Sequence, residues 1–405
     1  MASTNMSKAS LLASRGSCGL VLRTSTKILS PFHHPSLARR SSMRQPVSLA
    51  IAKAFHQAKS RSLPVIDAGR NEQASPVVLP YTSPTSGLLS KIPRSWVPYA
   101  ELVRLDKPAG TYYLFFPCLF STLMAAPMLS PAGSLGSVTS FSLLFLAGAV
   151  SMRGAGCTIN DLWDRNLDPH VHRTRLRPIA RGAVTPFKGV VFTGFQLLAG
   201  LAVLVQFPLP CILYGTLSLP LVASYPLAKR VTYYPQVVLG LTFSWGAIMG
   251  FPALGLDLLS NSAVLTAAGF LYASNVAWTV LYDMIYAHMD IKDDAKAGIK
   301  SIALKHDADT KKLLTGLAVT QVALLAAAGV ASGAGPAFFV GSCGGALISL
   351  GVMIKRVNLK SVQDCWWWFR NGCWITGGTI SAGLAADYLI RKAEEDAAAA
   401  MEAGQ

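Results

Sequence analysis

Charged residues are scarce in this chain, and the shortage excludes an ordinary soluble domain. Asp, Glu, Lys and Arg make up 14% of the 405 residues, whereas hydrophobic residues make up 52%. Soluble domains carry about 25% charged residues, so the composition indicates a polytopic membrane protein. The seven cysteines include no CxxC pair, which argues against a zinc site or a disulfide framework. The net charge of +16 is concentrated in the N-terminal segment and in short loops, so it does not indicate a nucleic-acid partner.

Acidic residues are absent from the N-terminal segment. No Asp or Glu precedes Asp67, whereas the first 65 residues contain ten Lys and Arg and many Ser and Ala. An Arg-rich, Ser-rich and acid-poor leader is typical of an organellar transit peptide. We therefore predict a transit peptide over residues 1–65, followed by a flexible linker over 66–95. We interpret the leader as mitochondrial, although its composition alone also fits a plastid.

Long apolar runs fill most of the remaining chain. A helix that spans a bilayer needs about 20 apolar residues. Nine runs predict nine transmembrane helices, near residues 109–129, 138–158, 187–207, 209–225, 235–255, 262–283, 312–332, 336–354 and 372–390. Lys and Arg are absent from every second loop, beginning with the loop after the first run. By the positive-inside rule the basic loops share one membrane face, which is the matrix face if the leader is mitochondrial.

Carboxylates gather where the second apolar run ends, in the segment Met152–Asp168. Residues three, four and seven apart share a helical face. The segment therefore predicts one stripe that contains Arg153, Cys157, Asn160, Asp161, Asp164 and Asp168. Carboxylates in a membrane helix are costly and usually functional, and Mg²⁺ is typically held by one or two carboxylates together with substrate phosphates. The alternative interpretation is a solvated helix end with chance acids.

A second acidic cluster follows the sixth apolar run. It comprises Asp283, Tyr286, Asp290, Asp293 and Asp294, which approximate one helical face. Two acidic clusters that face one cavity repel each other unless cations lie between them. Divalent metal ions together with a polyanionic substrate would supply this charge. The bases that would bind the remaining negative charge, or that act only as topology signals, are Lys107, Arg177, Lys229 and Arg230.

These motifs resemble the UbiA superfamily of membrane prenyltransferases. NDLWDRNLD at residues 160–168 matches the NDxxDxxxD motif of that family, DMIYAHMDIKDD at 283–294 resembles its second motif, and YPLAK at 225–229 matches its loop signature. The segments RLDKPAGTYYL, MRGAGCTINDLWD, RTRLRPIARG and GIKSIAL resemble the 4-hydroxybenzoate polyprenyltransferase subgroup. The resemblance covers roughly residues 104–390, which is most of the chain.

The resemblance implies an all-α polytopic membrane protein with nine transmembrane helices in a UbiA-type bundle around a central cavity. It places a transmembrane prenyltransferase domain at residues 96–392 and a C-terminal tail at 393–405. The implied reaction is the Mg²⁺-dependent transfer of a polyprenyl group from polyprenyl diphosphate to the carbon ortho to the hydroxyl of 4-hydroxybenzoate, an early membrane step of ubiquinone biosynthesis. The implied location is the mitochondrial inner membrane, among membrane lipids, with the active-site loops facing the matrix. The chain could also join a ubiquinone-biosynthesis assembly.

The resemblance also assigns roles to the motif residues. The implied catalytic residues are Asp161, Asp164, Tyr286 and Asp290. The implied metal ligands are Asp161, Asp164, Asp168, Asp283, Asp290, Asp293 and Asp294. The implied substrate-binding residues are Lys107, Arg153, Asn160, Arg177, Tyr225, Lys229 and Arg230. Arg153 lies deep in an apolar run and would bind the acceptor's carboxylate, or else pair with an acid one or two turns along its helix.

Two other functions remain open from the sequence. A related prenyltransferase could use a different aromatic or quinone-precursor acceptor, although the subgroup segments and the leader argue against it. A cation-coupled membrane transporter could also place acids in its helices. Transporters usually have discontinuous helices near the membrane midplane, whereas these acids cluster near one membrane face.

Overall fold

The computed structural model describes residues 81–170, 173–297 and 300–403. The predicted transit peptide and residues 66–80 of the predicted linker lie outside the described residues. The described residues form helices joined by turns and loops, and no β-strand occurs among them, which confirms the all-α prediction. These helices belong to one structural unit, Leu79–Gln405.

The α-helices are numbered here in chain order. They are α1 (Val97–Leu102), α2 (Ala109–Ala125), α3 (Leu135–Trp163), α4 (Pro186–Leu204), α5 (Leu209–Leu217), α6 (Leu219–Val231), α7 (Pro235–Phe243), α8 (Gly246–Ala253), α9 (Ser262–Ala287), α10 (Ile291–Ala297), α11 (Ile302–Lys305), α12 (Thr310–Ser332), α13 (Pro336–Arg356) and α14 (Val362–Ala403). Helix α13 contains a π-helical segment, Phe339–Gly344. Short 3-10 turns lie at Leu88–Lys91, Ala126–Met128, Asp168–His170 and Asp307–Asp309.

Within the described residues, seven helical segments are long and apolar enough to cross a membrane. They coincide with the first three predicted runs and with the fifth to eighth. The fourth run forms two short helices, α5 and α6, which meet at Ser218, and the ninth run lies within α14. All nine runs are thus helical, but the helices at the fourth and ninth runs are not both long enough and apolar enough to count as complete spans. The all-α fold class is confirmed, whereas the described residues contain seven such spans and not the predicted nine.

Proline and glycine determine several helix boundaries. Pro220 lies in the first turn of α6, and Pro235 begins α7. Proline is tolerated there because the N–H groups of a first helical turn have no partner within the helix. Gly333 ends α12 in the left-handed conformation, with φ 66°, which glycine adopts at no steric cost. The fifth predicted run is interrupted between α7 and α8, at Ser244 and Trp245.

The segment Ala109–Met128, which contains α2, is the most buried of the seven spans. Within it, 67% of an apolar stretch of 18 residues lies inside the protein. Its side chains Tyr113 and Phe120 are almost fully buried and pack against Trp278 of α9. The hydroxyl of Ser121 accepts a hydrogen bond from the N–H of Gly250 in α8, at 2.9 Å. Lipid is as apolar as these side chains, so close packing and interhelical hydrogen bonds hold the helices together more than the exclusion of water does.

The loops at the two ends of the bundle make separate sets of contacts. At the basic end, Lys300 donates to the carbonyl of Val231 at 3.3 Å, which joins the segment between α10 and α11 to the end of α6. At the other end, the N–H of Ala132 in the α2–α3 loop donates to Glu395 of α14 at 2.8 Å. The C-terminal part of α14 therefore lies opposite the basic loops, as the loop charges predict.

Candidate active site

The first acidic motif lies at the end of helix α3. The helix ends at Trp163, Asp164 is its C-cap, and Asp168 follows in a 3-10 turn. The predicted stripe on one helical face is therefore wrong beyond Asp164, because the chain leaves the helix there. Asp161 has no exposed surface and Asp168 is 4% exposed, so the turn still returns Asp168 to the interior.

Two arginines neutralise Asp161. Arg104 Nη2 lies 2.6 Å from Asp161 Oδ1, and Arg177 Nη1 lies 3.3 Å from the same oxygen. Arg177 also donates to both carboxylate oxygens of Asp168, at 3.0 and 2.9 Å. The second oxygen of Asp161, Oδ2, is buried and accepts no hydrogen bond from the described residues. A buried carboxylate oxygen without a donor is costly, so this atom marks a place where a cation would bind.

Arg104 occupies a strained position between α1 and α2. Its φ is 57°, a left-handed conformation that costs a residue with a Cβ roughly 1–3 kcal/mol. Its guanidinium also donates to the carbonyl of Glu101 at 2.8 Å, which helps to fix the side chain. Burial opposes the charged form, but the neighbouring Asp161 carboxylate raises the pKa of Arg104 above its ordinary value. Strain at a residue that neutralises a buried carboxylate indicates a functional position.

The buried Asp168 completes this end of the site. Desolvation raises the pKa of the Asp168 carboxyl above its usual value, and the guanidinium of Arg177 acts in the opposite direction. The hydroxyl of Thr174 donates to the backbone carbonyl of Asp168 at 3.0 Å. The α3–α4 loop thus holds Asp168 through both its side chain and its backbone.

The second acidic motif begins on α9 and continues past its end. Asp283 and Tyr286 lie on α9, Asp290 follows the helix, and Asp293 and Asp294 lie in the first turn of α10. The predicted continuous face is therefore interrupted between Ala287 and Ile291.

Arg173 of the α3–α4 loop reaches the second motif. Its Nε donates to Asp290 Oδ1 at 2.8 Å, and its Nη1 donates to the hydroxyl of Tyr286 at 3.0 Å. Burial opposes the charged form, but Tyr286 and Asp290 raise the pKa of Arg173 above its ordinary value. Since Arg177 of the same loop binds the first motif, one loop supplies cations to both acidic motifs.

Three of the motif carboxylates, Asp161, Asp168 and Asp290, form ion pairs with arginines. In the part of the chain that the structure describes, no group of three or more His, Cys, Asp and Glu side chains is arranged to hold a metal ion. The donor set nevertheless fits a hard divalent cation, because Asp161 Oδ2 is a buried carboxylate oxygen with no hydrogen bond. Mg²⁺ binds such oxygens. Metal binding at either motif would require arginines to move away from the carboxylates.

Arg153 lies eight residues before Asp161 on α3, about 12 Å further along the helix toward the opposite membrane face. Its guanidinium packs against Gly110 of α2, where an added Cβ would lie 2.5 Å from three guanidinium atoms. Its Nε is buried without a hydrogen-bond acceptor among the described residues. The acid two turns along the helix, Asp161, is bound by Arg104 instead. An unsatisfied buried guanidinium donor suits an anionic ligand.

Aromatic side chains form a wall near the second motif. Tyr113 of α2 stacks on Tyr282 of α9 with 3.6 Å between the ring centres. Phe369 of α14 lies 5.1 Å from Tyr113 and 4.6 Å from Tyr286, again between ring centres. Tyr113 and Tyr282 are each 2% exposed. The wall excludes water, and aromatic faces attract a nearby cation.

The other predicted substrate-binding residues are less closely associated with the acids. Lys107 is 60% exposed, and its ammonium lies 3.7 Å from Asp106 rather than at either motif. Such an exposed pair contributes at most about 1 kcal/mol. Asn160 is half-buried on α3. The predicted residues whose side chains lie outside the described part of the structure are Tyr225, Lys229 and Arg230.

Sequence reasoning missed Arg104 and Arg173 as site residues and treated them only as loop charges. A signal was present for each: Arg104 begins the segment RLDKP before the first apolar run, and Arg173 lies four residues before Arg177. Glu101 was missed as well. Its carboxylate lies 2.5 Å from Arg181 Nη2. This ion pair attaches α1 to the α3–α4 loop, which also carries Arg173 and Arg177.

The fold and the site define a polytopic α-helical membrane protein with two carboxylate motifs at one membrane face, each bound by arginine. Residues 114–376 match the UbiA prenyltransferase family. The chain belongs to that family.

Relatives in two yeasts are similar over most of the chain. The mitochondrial 4-hydroxybenzoate polyprenyltransferase of Saccharomyces cerevisiae is 46% identical over 305 residues, which cover 75% of this chain and 79% of that protein. The protein of the same name from Schizosaccharomyces pombe is 41% identical over 364 residues, which cover 90% of this chain and 98% of that protein.

Solved structures of archaeal proteins share the fold. The apo structure of a UbiA homologue from Aeropyrum pernix K1 matches with a TM-score of 0.56 and 21% identity, over 70% of this chain and 98% of that one. A UbiA homologue from Archaeoglobus fulgidus bound to GPP and Mg²⁺ matches with a TM-score of 0.52 and 17% identity, over 73% of this chain and 99% of that one. At these identities the likeness concerns the fold alone.

Proposed function

We propose that this chain transfers a polyprenyl group from polyprenyl diphosphate to the ring carbon ortho to the hydroxyl of 4-hydroxybenzoate, as an early membrane step of ubiquinone biosynthesis. Relatives named 4-hydroxybenzoate polyprenyltransferase are 41–46% identical to it over most of its length. The observation that carries the proposal is the buried Asp161, bound by Arg104 and Arg177 within the NDxxDxxxD motif. Positive charges in a site that excludes water are well suited to stabilise a departing diphosphate.

The arginines of the site would bind the diphosphate of the donor. Arg104, Arg173 and Arg177 carry planar guanidinium groups, which can contact phosphate oxygens through two parallel hydrogen bonds. In the structure these groups neutralise motif carboxylates. We infer that they turn toward the diphosphate when the donor binds, and that the carboxylates are then free to bind a cation.

We propose Mg²⁺ as this cation. The residues that would hold it are Asp161, Asp164 and Asp168 in the first motif, and Asp283, Asp290 and Asp293 or Asp294 in the second. Bound Mg²⁺ would neutralise the diphosphate and stabilise it as a leaving group. Tyr286 would hold the guanidinium of Arg173 through its hydroxyl until the donor binds.

Arg153 would orient the acceptor. A guanidinium binds a carboxylate bidentately, and the buried Nε has no acceptor among the described residues. Because Arg153 lies about 12 Å further along α3 than Asp161, the acceptor ring would lie beyond the diphosphate, beside the aromatic wall. Tyr113 and Tyr282 would keep water from the allylic cation and stabilise it through their ring faces. The ring carbon of the acceptor, rather than water, would then attack.

We propose that the chain is a multi-pass protein of the mitochondrial inner membrane with its acidic motifs on the matrix side. The names of the relatives and the apolar helices support a mitochondrial membrane. The basic loops lie on the same side as the motifs, as the positive-inside rule expects of the matrix side. Association with a ubiquinone-biosynthesis assembly stays a prediction.

An assay of the purified protein in lipid vesicles tests the proposed reaction. We expect Mg²⁺, a polyprenyl diphosphate and 4-hydroxybenzoate to give a product with the prenyl group ortho to the hydroxyl, identified by mass spectrometry and NMR. Other aromatic acids serve as competing acceptors. Prenylation of one of these, without prenylation of 4-hydroxybenzoate, would contradict the acceptor. Cation-driven solute uptake without any prenylated product would favour the transporter.

A further inference from the structure

A cavity of about 500 Å³ lies between α7, α9 and α12. This volume is within the range of roughly 300–1,000 Å³ that is usual for small-molecule sites. Its wall is apolar and includes Val276 of α9 and Leu313 and Leu317 of α12. Val237 of α7 also lines it and is 40% exposed. The cavity therefore opens on the side of the bundle that faces lipid.

The cavity lies on a different face of α9 from the acidic motif. Ala273, Val276, Ala277 and Val280 line it. At 3.6 residues per turn, the mean direction of these four side chains differs by roughly 70° from that of Asp283 and by roughly 130° from that of Tyr286. From Val280 to Ala273 the cavity extends about 10 Å along the helix. That length is most of the apolar depth of one leaflet, which is about 15 Å.

Cationic and aromatic side chains surround the end of the cavity at the membrane face of the basic loops. Lys305 Nζ lies 4.6 Å from the ring centre of Tyr234, and Lys300 Nζ lies 5.4 Å from that of Tyr233. His306 Nε2 lies 3.0 Å from the hydroxyl of Tyr234, and both residues line the cavity. Tyrosine and lysine at this level are typical of the interface between lipid and water.

The acids next to this opening contact other groups. Asp309 lies 2.8 Å from the ammonium of Lys312, and Asp307 lies 3.7 Å from His288 Nε2. Neither of these acids therefore neutralises the lysines at the opening. The opening therefore combines two lysine side chains with an apolar interior.

We propose that this cavity binds an anionic phospholipid, with an acyl chain between α9 and α12 and the phosphate at Lys300 and Lys305. Basic pockets between transmembrane helices favour anionic head groups. A polyprenyl diphosphate also joins an apolar chain to an anion. The first acidic motif lies on α3, however, and Tyr286 of the second motif points away from the cavity on α9, so the phospholipid is the better fit.

Native mass spectrometry of the purified full chain in neutral detergent tests this proposal. The probes are phosphatidylglycerol and phosphatidylcholine with identical acyl chains. We expect phosphatidylglycerol to be retained preferentially, and the double variant Lys300→Gln/Lys305→Gln to lower its affinity about tenfold. The matched control, Lys355→Gln/Arg356→Gln, removes two exposed charges from the end of α13, and we expect it to change the affinity less than about twofold. Equal losses in both variants would overturn the proposal.

A cavity-filling variant tests where the acyl chain lies. Ala277→Leu adds bulk to the wall without changing charge, and we expect it to reduce phosphatidylglycerol retention while the thermal melting of the protein is preserved. Unchanged retention would place the lipid elsewhere and overturn the proposal. A second outcome would also overturn the proposal. If a polyprenyl diphosphate displaces phosphatidylglycerol and Lys300→Gln/Lys305→Gln raises the donor KM, the cavity binds the donor and not a phospholipid.

Discussion

Asp161 has no exposed surface, and its two charge partners, Arg104 and Arg177, both come from outside its own helix. Removing one member of a buried ion pair typically costs about 3–5 kcal/mol, because the other charge stays buried and unpaired. The carboxylate therefore needs a cation in every state of the protein. In the structure arginine supplies it, and in the reaction we assign that role to Mg²⁺.

Arg153→Lys tests how the acceptor is bound. Lysine keeps the positive charge but lacks the planar fork that binds a carboxylate bidentately. We expect the KM for 4-hydroxybenzoate to rise by about tenfold or more, or kcat to fall through misplacement of the ring, with the donor KM nearly unchanged. Steady-state kinetics with each substrate varied separately measures both. A raised donor KM with an unchanged acceptor KM would place Arg153 at the diphosphate.

Gly110→Ala tests the same guanidinium from the opposite helix. The new methyl group would lie 2.5 Å from the guanidinium of Arg153, and the flexible side chain can move away at small cost to the fold. We expect a raised acceptor KM with unchanged thermal stability. Gly156→Ala is the matched control, since nothing lies within 4 Å of its added Cβ. An acceptor KM equally affected in both variants, or in neither, would contradict the role of Arg153.

At the scale of single residues, the sequence predicts a site residue when both its side-chain chemistry and its spacing within a local motif point to the same role. Asp161 and Asp168 were identified because their motif is local. Arg104 and Arg173 were missed because their partners lie 57 and 117 positions away in the chain, and nothing local distinguishes them from other loop arginines. The left-handed backbone of Arg104 is also invisible in the sequence.

At the scale of elements, the α3–α4 loop connects the two acidic motifs. Arg177 binds the motif at the end of α3, and Arg173 binds the motif that follows α9. Glu101 of α1 holds the loop through Arg181. Movement of this one loop would therefore change the charge balance at both motifs together.

Arg173→Gln tests this coupling. Glutamine can keep one hydrogen bond to Asp290 but carries no charge for the diphosphate. We expect the donor KM to rise by roughly 10- to 100-fold, as loss of one charged hydrogen bond of roughly 1.5–3 kcal/mol implies. Arg165→Gln is the control, because Arg165 is an exposed arginine near the same loop that donates only to the carbonyl of Leu162 among the described residues. Kinetics in which both variants behave alike would contradict a specific role for Arg173.

Helices were predicted where apolar runs are long, and their ends were predicted less well. The ninth run, 372–390, lies inside the longer helix Val362–Ala403, because strong helix formers such as Ala, Glu and Lys continue the helix beyond the membrane. The interruptions at Ser218 and at Ser244–Trp245 fall inside apolar sequence, so hydropathy does not detect them. The predicted acidic stripe on α3 extended past the end of the helix for a similar reason, because residue spacing alone does not show where α3 ends.

At the scale of the whole molecule, charge is divided between the two ends of the bundle. The loops that contain Arg173, Arg177 and Lys300 lie at the end with the acidic motifs, and α14 carries Glu395 to the other end. The alternation of basic and neutral loops predicted this arrangement because insertion responds to loop charge. The central cavity stays a prediction, since the cavity described above lies between α7, α9 and α12.

A reporter protein fused to residues 1–65 tests the predicted leader. The segment contains ten Lys and Arg and no acid, and we expect it to direct the reporter into mitochondria and to be removed there. Cell fractionation and the size of the reporter measure both events. The control fusion has all ten basic residues replaced by Gln. Cytosolic retention of the unmodified fusion, or import of both fusions, would contradict the prediction.

Turnover of the Asp161→Asn variant tests the central claim most directly. Asparagine preserves the size of the side chain but removes the negative charge that binds Arg104 and, in the proposed reaction, Mg²⁺. We expect kcat to fall at least about 100-fold, since a lost metal ligand removes several kcal/mol of charge stabilisation. Asp257→Asn, at an exposed turn between α8 and α9, should retain wild-type turnover. An Asp161→Asn enzyme that is folded, membrane-inserted and within about twofold of wild-type turnover would contradict the assignment of the active site.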